Sequence, residues 1–305
     1  MRTPRPLTWV GFFLCVVCIA KPALSVSPAT AREPRDETQA WGAIQDIEFI
    51  SGDATLSGSL VLPADGRVLR AVVVFVHGSG PQERSLPLAN HFARSGVGAF
   101  VYDKRGVGKS GGRYEAAQAV SGDNIDRLAE DAAAALAALR ERPALDGAAL
   151  GLAGISQAGW IAPLAAHKSG LAHFLLLWSG PVCKVSEEDI FSKYTNDRDR
   201  PGVPSYAEAL AARTSPYRWQ DFLGTDSDPV ASLRQISIPG LWIFGGKDGS
   251  IPVDLSMERL DVLREEGLPY EYVLFSESGN NNIPETFATA LGWLERQLNS
   301  LAAPN

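Results

Sequence analysis

The strongest chemical signal in the chain is a serine between glycines, in Gly154-Ile155-Ser156-Gln157-Ala158-Gly159. An apolar run at 148–153 precedes it and a helix-like stretch follows. A serine on a sharp strand-to-helix turn stands exposed at the carboxyl edge of a sheet, where its hydroxyl can attack a carbonyl carbon. Gly154 lets neighbouring backbone approach where a Cβ would clash. Gln157 presents its backbone N–H at a helix start, where negative charge is favoured. Ala158 stands where the usual pattern has a second glycine, with Gly159 directly after it. A G-x-S string alone is weak, so the reading needs partners.

Two further segments supply them. His77-Gly78-Ser79-Gly80 follows the apolar run 71–76. Such a turn offers a second N–H, from Ser79 or its neighbour. With Gln157 it would make an oxyanion hole, each donor worth roughly 3–4 kcal/mol in the transition state. His77 is expected to hydrogen-bond locally and shape the turn. Asp248, in Gly245-Gly246-Lys247-Asp248-Gly249, follows the run 241–244. A carboxylate at a strand end can orient an imidazole, and the order serine then acid fits such a site. Cys183 lies outside any such turn and reads as a small buried hydrophobe.

These groups need a scaffold that brings strand ends to one edge. Apolar runs at 71–76, 97–102, 148–153, 173–178, 241–244 and 270–275 alternate with helical stretches near 83–95, 123–142, 157–168, 253–266 and 285–298. Residues 45–50 and 57–62, split by Ser51-Gly52-Asp53, read as a hairpin. The expected class is α/β: a mostly parallel twisted sheet of about eight strands, helices on both faces. Residues 184–235 break the rhythm. They carry Pro201, Pro204, Pro216 and Pro229 with Tyr194, Tyr206, Tyr217 and Trp219, and read as an inserted cap.

Composition bounds the rest. Of 305 residues, 45% are hydrophobic and 21% charged, enough for a sizeable core. A net charge of -7 argues against a nucleic-acid partner. Residues 1–25 read as a signal peptide: Arg2 and Arg5, an apolar run 9–20, then small residues at Ala23 and Ser25. A cut after Ser25 or Ala31 is possible, and an export to periplasm or medium is expected. Loss of Arg2, Arg5 and Lys21 makes the remainder three units more acidic, and loss of Cys15 and Cys18 leaves Cys183 alone. Residues 26–40 read as a disordered leader and 41–300 as the folded domain. No His/Asp/Glu spacing implies a metal, and no cofactor is implied.

The strings VVVFVHGSGPQERS, FVYDKRGVGKSGG, GLAGISQAGWIAPLAA and DPVASLRQISIPGLWIFGGKDGSIP resemble the α/β-hydrolase family. The nearer likeness is to bacterial serine hydrolases akin to dienelactone-hydrolase and acyl-peptidase-like members. It runs from about residue 41 to 298. The resemblance implies Ser156 as nucleophile, Ser79 and Gln157 as oxyanion donors, and Asp248 as triad acid. It implies hydrolysis of an ester, thioester or amide of a small-molecule substrate through an acyl-enzyme.

One element departs from that pattern. The family places its histidine in the loop after the last strand, and here the loop reads Ser276-Glu277-Ser278-Gly279-Asn280-Asn281-Asn282. Asn280 stands where the base is expected, and no histidine follows His173. His91, His167 and His173 are expected to face solvent or a helix–sheet seam. Glu277 is nearer in sequence, and a raised pKa could make it a base. Three readings follow: a serine hydrolase with an unconventional base or slow turnover, a relative that binds an acyl or ester ligand without turnover, and an interaction protein using the cap surface.

Overall fold

Short apolar runs fold here as strands buried on both faces. The clearest is β3 (Ala71–Val76), whose residues are all buried. Its side chains alternate between two cores: Val72, Val74 and Val76 on one face, Ala71, Val73 and Phe75 on the other. That alternation follows from the two-residue period of a strand. The computed structural model describes residues 41–214 and 224–302. The signal peptide and leader expected at 1–40, and Pro216, Tyr217 and Trp219 of the expected cap, lie outside the described residues.

Eight strands form one sheet in the order β1-β2-β4-β3-β5-β6-β7-β8. The front hairpin joins β1 (Ala43–Ser51) to β2 (Ala54–Leu62), antiparallel across the two-residue turn Gly52-Asp53. β2 also pairs antiparallel with β4 (Gly98–Tyr102). From there β4, β3, β5 (Ala149–Ile155), β6 (Phe174–Trp178), β7 (Gly240–Gly245) and β8 (Tyr270–Phe275) run parallel. All six therefore end at the same edge, where ligands of open parallel sheets bind.

Helices α2 (Gly122–Arg140), α3 (Ala158–Ser169), α6 (Pro229–Leu233) and α7 (Val253–Glu265) cover one face. Helices α1 (Leu86–Arg94) and α8 (Ile283–Ala302) cover the other. The α1 stretch starts later than the sequence suggests, because Ser85 accepts from the Leu88 N–H and Pro87 fits the first turn. Between β6 and β7 lie α4 (Val185–Thr195), α5 (Tyr206–Ala211) and α6. No helix among the described residues is long and apolar enough to cross a membrane.

Candidate active site

Strand β5 runs two residues further than its apolar run suggests, so it delivers Ser156 directly from Ile155. Ser156 has φ 54°, a left-handed conformation that non-glycine residues seldom adopt. Its N–H donates to the Trp178 carbonyl at 2.9 Å, fixing the turn to the end of β6. The bend works only because its neighbours are small. A Cβ on Gly154 would run into the Ala158 methyl and lie 2.7 Å from the Val76 carbonyl. A Cβ on Gly159 would strike Pro181 and Gly180. Ala158 is fully buried over Gly154. The residue that must be glycine on the helix side is thus Gly159.

The 77–80 turn sits against this elbow. Val76 pairs with Gly154, and a Cβ on Gly78 would stand 3.3 Å from the Ile155 carbonyl. Among the described residues, neither the Ser79 N–H nor the Gln157 N–H finds a protein acceptor. Two N–H groups of this kind could donate to one ligand oxygen. His77 is 4% exposed and its Nε2 bonds the Tyr102 carbonyl. Burial, more than any other influence, lowers its pKa. It ties the turn to the end of β4, where a local bond within the turn was expected.

The acid side is equally well defined. Asp248 is 1% exposed. Its Oδ1 accepts from the N–H groups of Ser250 and Ile251, each at 2.9 Å. Burial pushes its pKa up to about 6, against the pull of those donors. Its Oδ2 accepts from Nδ2 of Asn280 at 3.0 Å. Asn280 is pinned on three sides. Its N–H donates to Oδ2 of Asp199 at 3.0 Å, and its carbonyl accepts from Oγ of Ser179 at 2.8 Å. Asp199 also accepts from the Gly249 N–H at 3.0 Å, so one carboxylate bridges both loops. Ser179, at φ 45°, is itself in the left-handed region.

An amide in this slot imitates half of an imidazole. Its NH2 donates to the carboxylate, as an Nδ1–H would. The other arm, Oδ1, can accept a hydrogen bond but cannot hold a proton at neutral pH.

Other base candidates lie elsewhere. Glu277 is exposed and pairs with Lys247 at 2.8 Å, which draws its pKa down. The expectation of a raised carboxyl there is therefore overturned, because Lys247 faces it. His91 lies on α1, its ring tilted against that of Phe287 with centres 4.1 Å apart. His167 is exposed in the last turn of α3. His173 precedes β6 and contacts the backbone of Leu150, at the amino end of the parallel strands and opposite Ser156. Cys183 is buried, and burial raises its thiol pKa well above the usual range.

Sequence reasoning missed four residues at this edge: Ser179, Asp199, Lys104 and Glu188. Glu188, on α4, has its pKa pushed up to about 8, first by burial and then by Asp197, Asp189 and Asp248. The signal for Lys104 was present, since it lies in FVYDKRGVGKSGG, but nothing in the string says where its amine points. Among the described residues, no group of three or more His, Cys, Asp or Glu side chains could hold a metal ion.

Residues 68–198 match the sequence model of the serine aminopeptidase S33 family. That span holds Ser79, Ser156 and Gln157 and stops short of Asp248 and Asn280. No curated protein sequence matches the chain. Among solved structures, an esterase from Pyrococcus furiosus is similar at TM-score 0.62 and 18% identity, covering 84% of this chain and 92% of its own. An acylaminoacyl peptidase from Pyrococcus horikoshii gives TM-score 0.62 at 20% identity, covering 86% of this chain and 42% of that one. A proline iminopeptidase from Mycobacterium smegmatis gives 0.60 at 15%, covering 84% and 100%.

Proposed function

We propose that this chain, which has the α/β-hydrolase fold, hydrolyses a carboxylic ester, thioester or amide through an acyl-enzyme on Ser156. The observation that carries this reading is Ser156 held at φ 54° beside two N–H groups without protein acceptors. In the first step the Ser156 hydroxyl adds to the carbonyl carbon. The carbonyl electron pair moves to oxygen, which the N–H groups of Ser79 and Gln157 receive. Collapse breaks the bond to the leaving group, which takes a proton from solvent water to depart as alcohol, thiol or amine; a water then adds to the acyl carbon and releases the acid from Ser156.

The proton is where this site departs from a full triad. Asn280 can orient the hydroxyl but cannot take its proton, so the proton passes to solvent water. Loss of the histidine from a working triad lowers turnover on the order of 10⁶-fold. Oxyanion hole and binding together still leave roughly 10³–10⁴ over water. The expected enzyme is therefore slow. The small apolar-then-polar leader at 1–40 supports action outside the cytoplasm, in the periplasm or medium.

A second reading keeps the pocket and drops turnover: the chain binds an acyl or ester ligand. The bond from Asn280 to Asp248 favours it, because it occupies the acid that would otherwise hold a base. A fluorophosphonate probe separates the two. Labelling that disappears in Ser156→Ala supports the hydrolase; an unlabelled, folded protein supports binding alone.

A further inference from the structure

At the end of β4 the chain reads Tyr102-Asp103-Lys104-Arg105, three charged side chains in a row, all buried. Two of them find charged partners. Asp103 accepts from Arg84 through Nε at 2.9 Å and Nη2 at 2.8 Å. Arg105 donates to Asp131 and, at 2.8 Å, to Asp53. These bonds strap the backbone on both sides of Lys104. Lys104 is different. It has no carboxylate partner among the described residues, and it is 3% exposed.

Its Nζ instead donates to the Gly78 carbonyl at 2.8 Å, the Gly80 carbonyl at 3.2 Å and Oε1 of Gln157 at 2.9 Å. Gly78 and Gly80 flank one proposed oxyanion donor, and Gln157 carries the other. The opposite arm of the Gln157 amide donates to the Ala119 carbonyl at 2.8 Å, which fixes its orientation. Three acceptors around one nitrogen match an ammonium, which has three N–H groups and no lone pair. A neutral amine would turn its lone pair toward an oxygen. The geometry therefore argues against Lys104 as the missing base, although burial lowers its pKa to about 8.

We propose that Lys104 is a positioning residue of the oxyanion hole: its buried ammonium ties the 78–80 turn to the nucleophile elbow and sets a fixed positive charge behind the forming oxyanion. This rests on the serine-hydrolase reading. The charge matters more here than in a complete triad, where an imidazolium forms in the transition state and balances the oxyanion. Other ionisable groups facing Lys104 are few. His77, just after β3, has its pKa lowered first by burial and also by Lys104, against the bond to the Tyr102 carbonyl. Asp103 stays ionised: burial opposes this, but Arg84 prevails.

The test compares wild type, Lys104→Met, Lys104→Gln and Lys104→Arg by two readouts. The first is amide hydrogen exchange at Ser156, Gly159 and Trp160, whose N–H groups bond within or beside the elbow. Loss of the tie should speed exchange there at least about tenfold in the Met and Gln variants, with β6 unchanged. The second is the rate of fluorophosphonate labelling of Ser156 against pH. Near pH 7 labelling should slow roughly tenfold in the Met and Gln variants, the scale of a weakened oxyanion hole. That gap should narrow as pH rises through about 8, because wild type then loses its charge. Lys104→Arg should recover part of the rate and remove the narrowing, since guanidinium does not titrate there. Unchanged exchange at the elbow, or a labelling gap constant with pH, overturns the proposal. If wild-type Ser156 takes no label, the hydrolase reading fails, and the exchange arm still decides the tie.

Discussion

The two halves of the site are built to the same standard and differ in what they can do. On the proposed oxyanion side, the 77–80 turn, Ser156, Gln157 and Lys104 would together receive negative charge. On the relay side, Asp248, Asn280, Asp199 and Ser179 are as closely bonded, yet they surround an amide that cannot accept a proton. Structural order and chemical competence are therefore separate properties. The loop holds Asn280 by its N–H, its carbonyl and its side chain together.

The largest effect should come from completing the relay side. In Asn280→His, p-nitrophenyl acetate turnover should rise at least about tenfold, with a ceiling near the 10⁶ that a triad histidine supplies. That activity should fall as pH drops and the new imidazole gains its proton. No gain in a folded variant would mean that the slot cannot orient a base, and the two halves would differ in geometry too.

Next in size is the pH response of Asp248. Its folded pKa, about 6, lies above the ordinary value of 3.8. The folded state thus binds this proton more tightly than the unfolded chain. Its contribution is present at low pH and is lost as pH rises from about 4 to about 6, by up to about 3 kcal/mol. Urea denaturation of wild type and Asp248→Asn across that window should show the stability difference shifting toward the variant as pH rises. A constant difference would place the carboxyl in a more solvated setting than its 1% exposure indicates.

The smallest effects compare the glycines of the two halves. Gly154→Ala would press a methyl onto the Ala158 methyl and the Val76 carbonyl, neither of which can swing aside. A loss of about 1–3 kcal/mol is expected, with slower labelling of Ser156. Gly279→Ala would meet the carboxylate of Asp199, an exposed side chain that can swing into solvent only by giving up its bonds to the Asn280 and Gly249 N–H groups. Its loss should be about 1 kcal/mol in thermal or urea unfolding, because the two bonds of Asp199 lie at the solvent edge and water replaces them. Equal losses would contradict the picture of a packed elbow and a solvent-edge clamp.

Much of this molecule could be read from its residues. The runs 71–76 and 270–275 are strands with those bounds: the first is unbroken apolar sequence, and the second is rich in aromatic and β-branched residues despite Glu271. Strand β5 outran its apolar run, since Gly154-Ile155 looked like turn but pairs with Val76 and Trp178. Ser156 and Asp248 stood out by glycine-rich turns after apolar runs, whereas Asn280 was singled out only by the family resemblance. Lys104 and Asp199 were not legible, because their meaning lies in partners 24 to 81 residues away. Glu277 misled for the opposite reason. Nearness to Asn280 along the chain said nothing about Lys247 across the loop.

The triple anchoring of Asn280 has an implication for descent. Asparagine and histidine codons differ only at the first base, so a single nucleotide exchange would bring an imidazole into a backbone already set for it. An exchange at this position would leave in place the two bonds made by its backbone, to Asp199 and to Ser179.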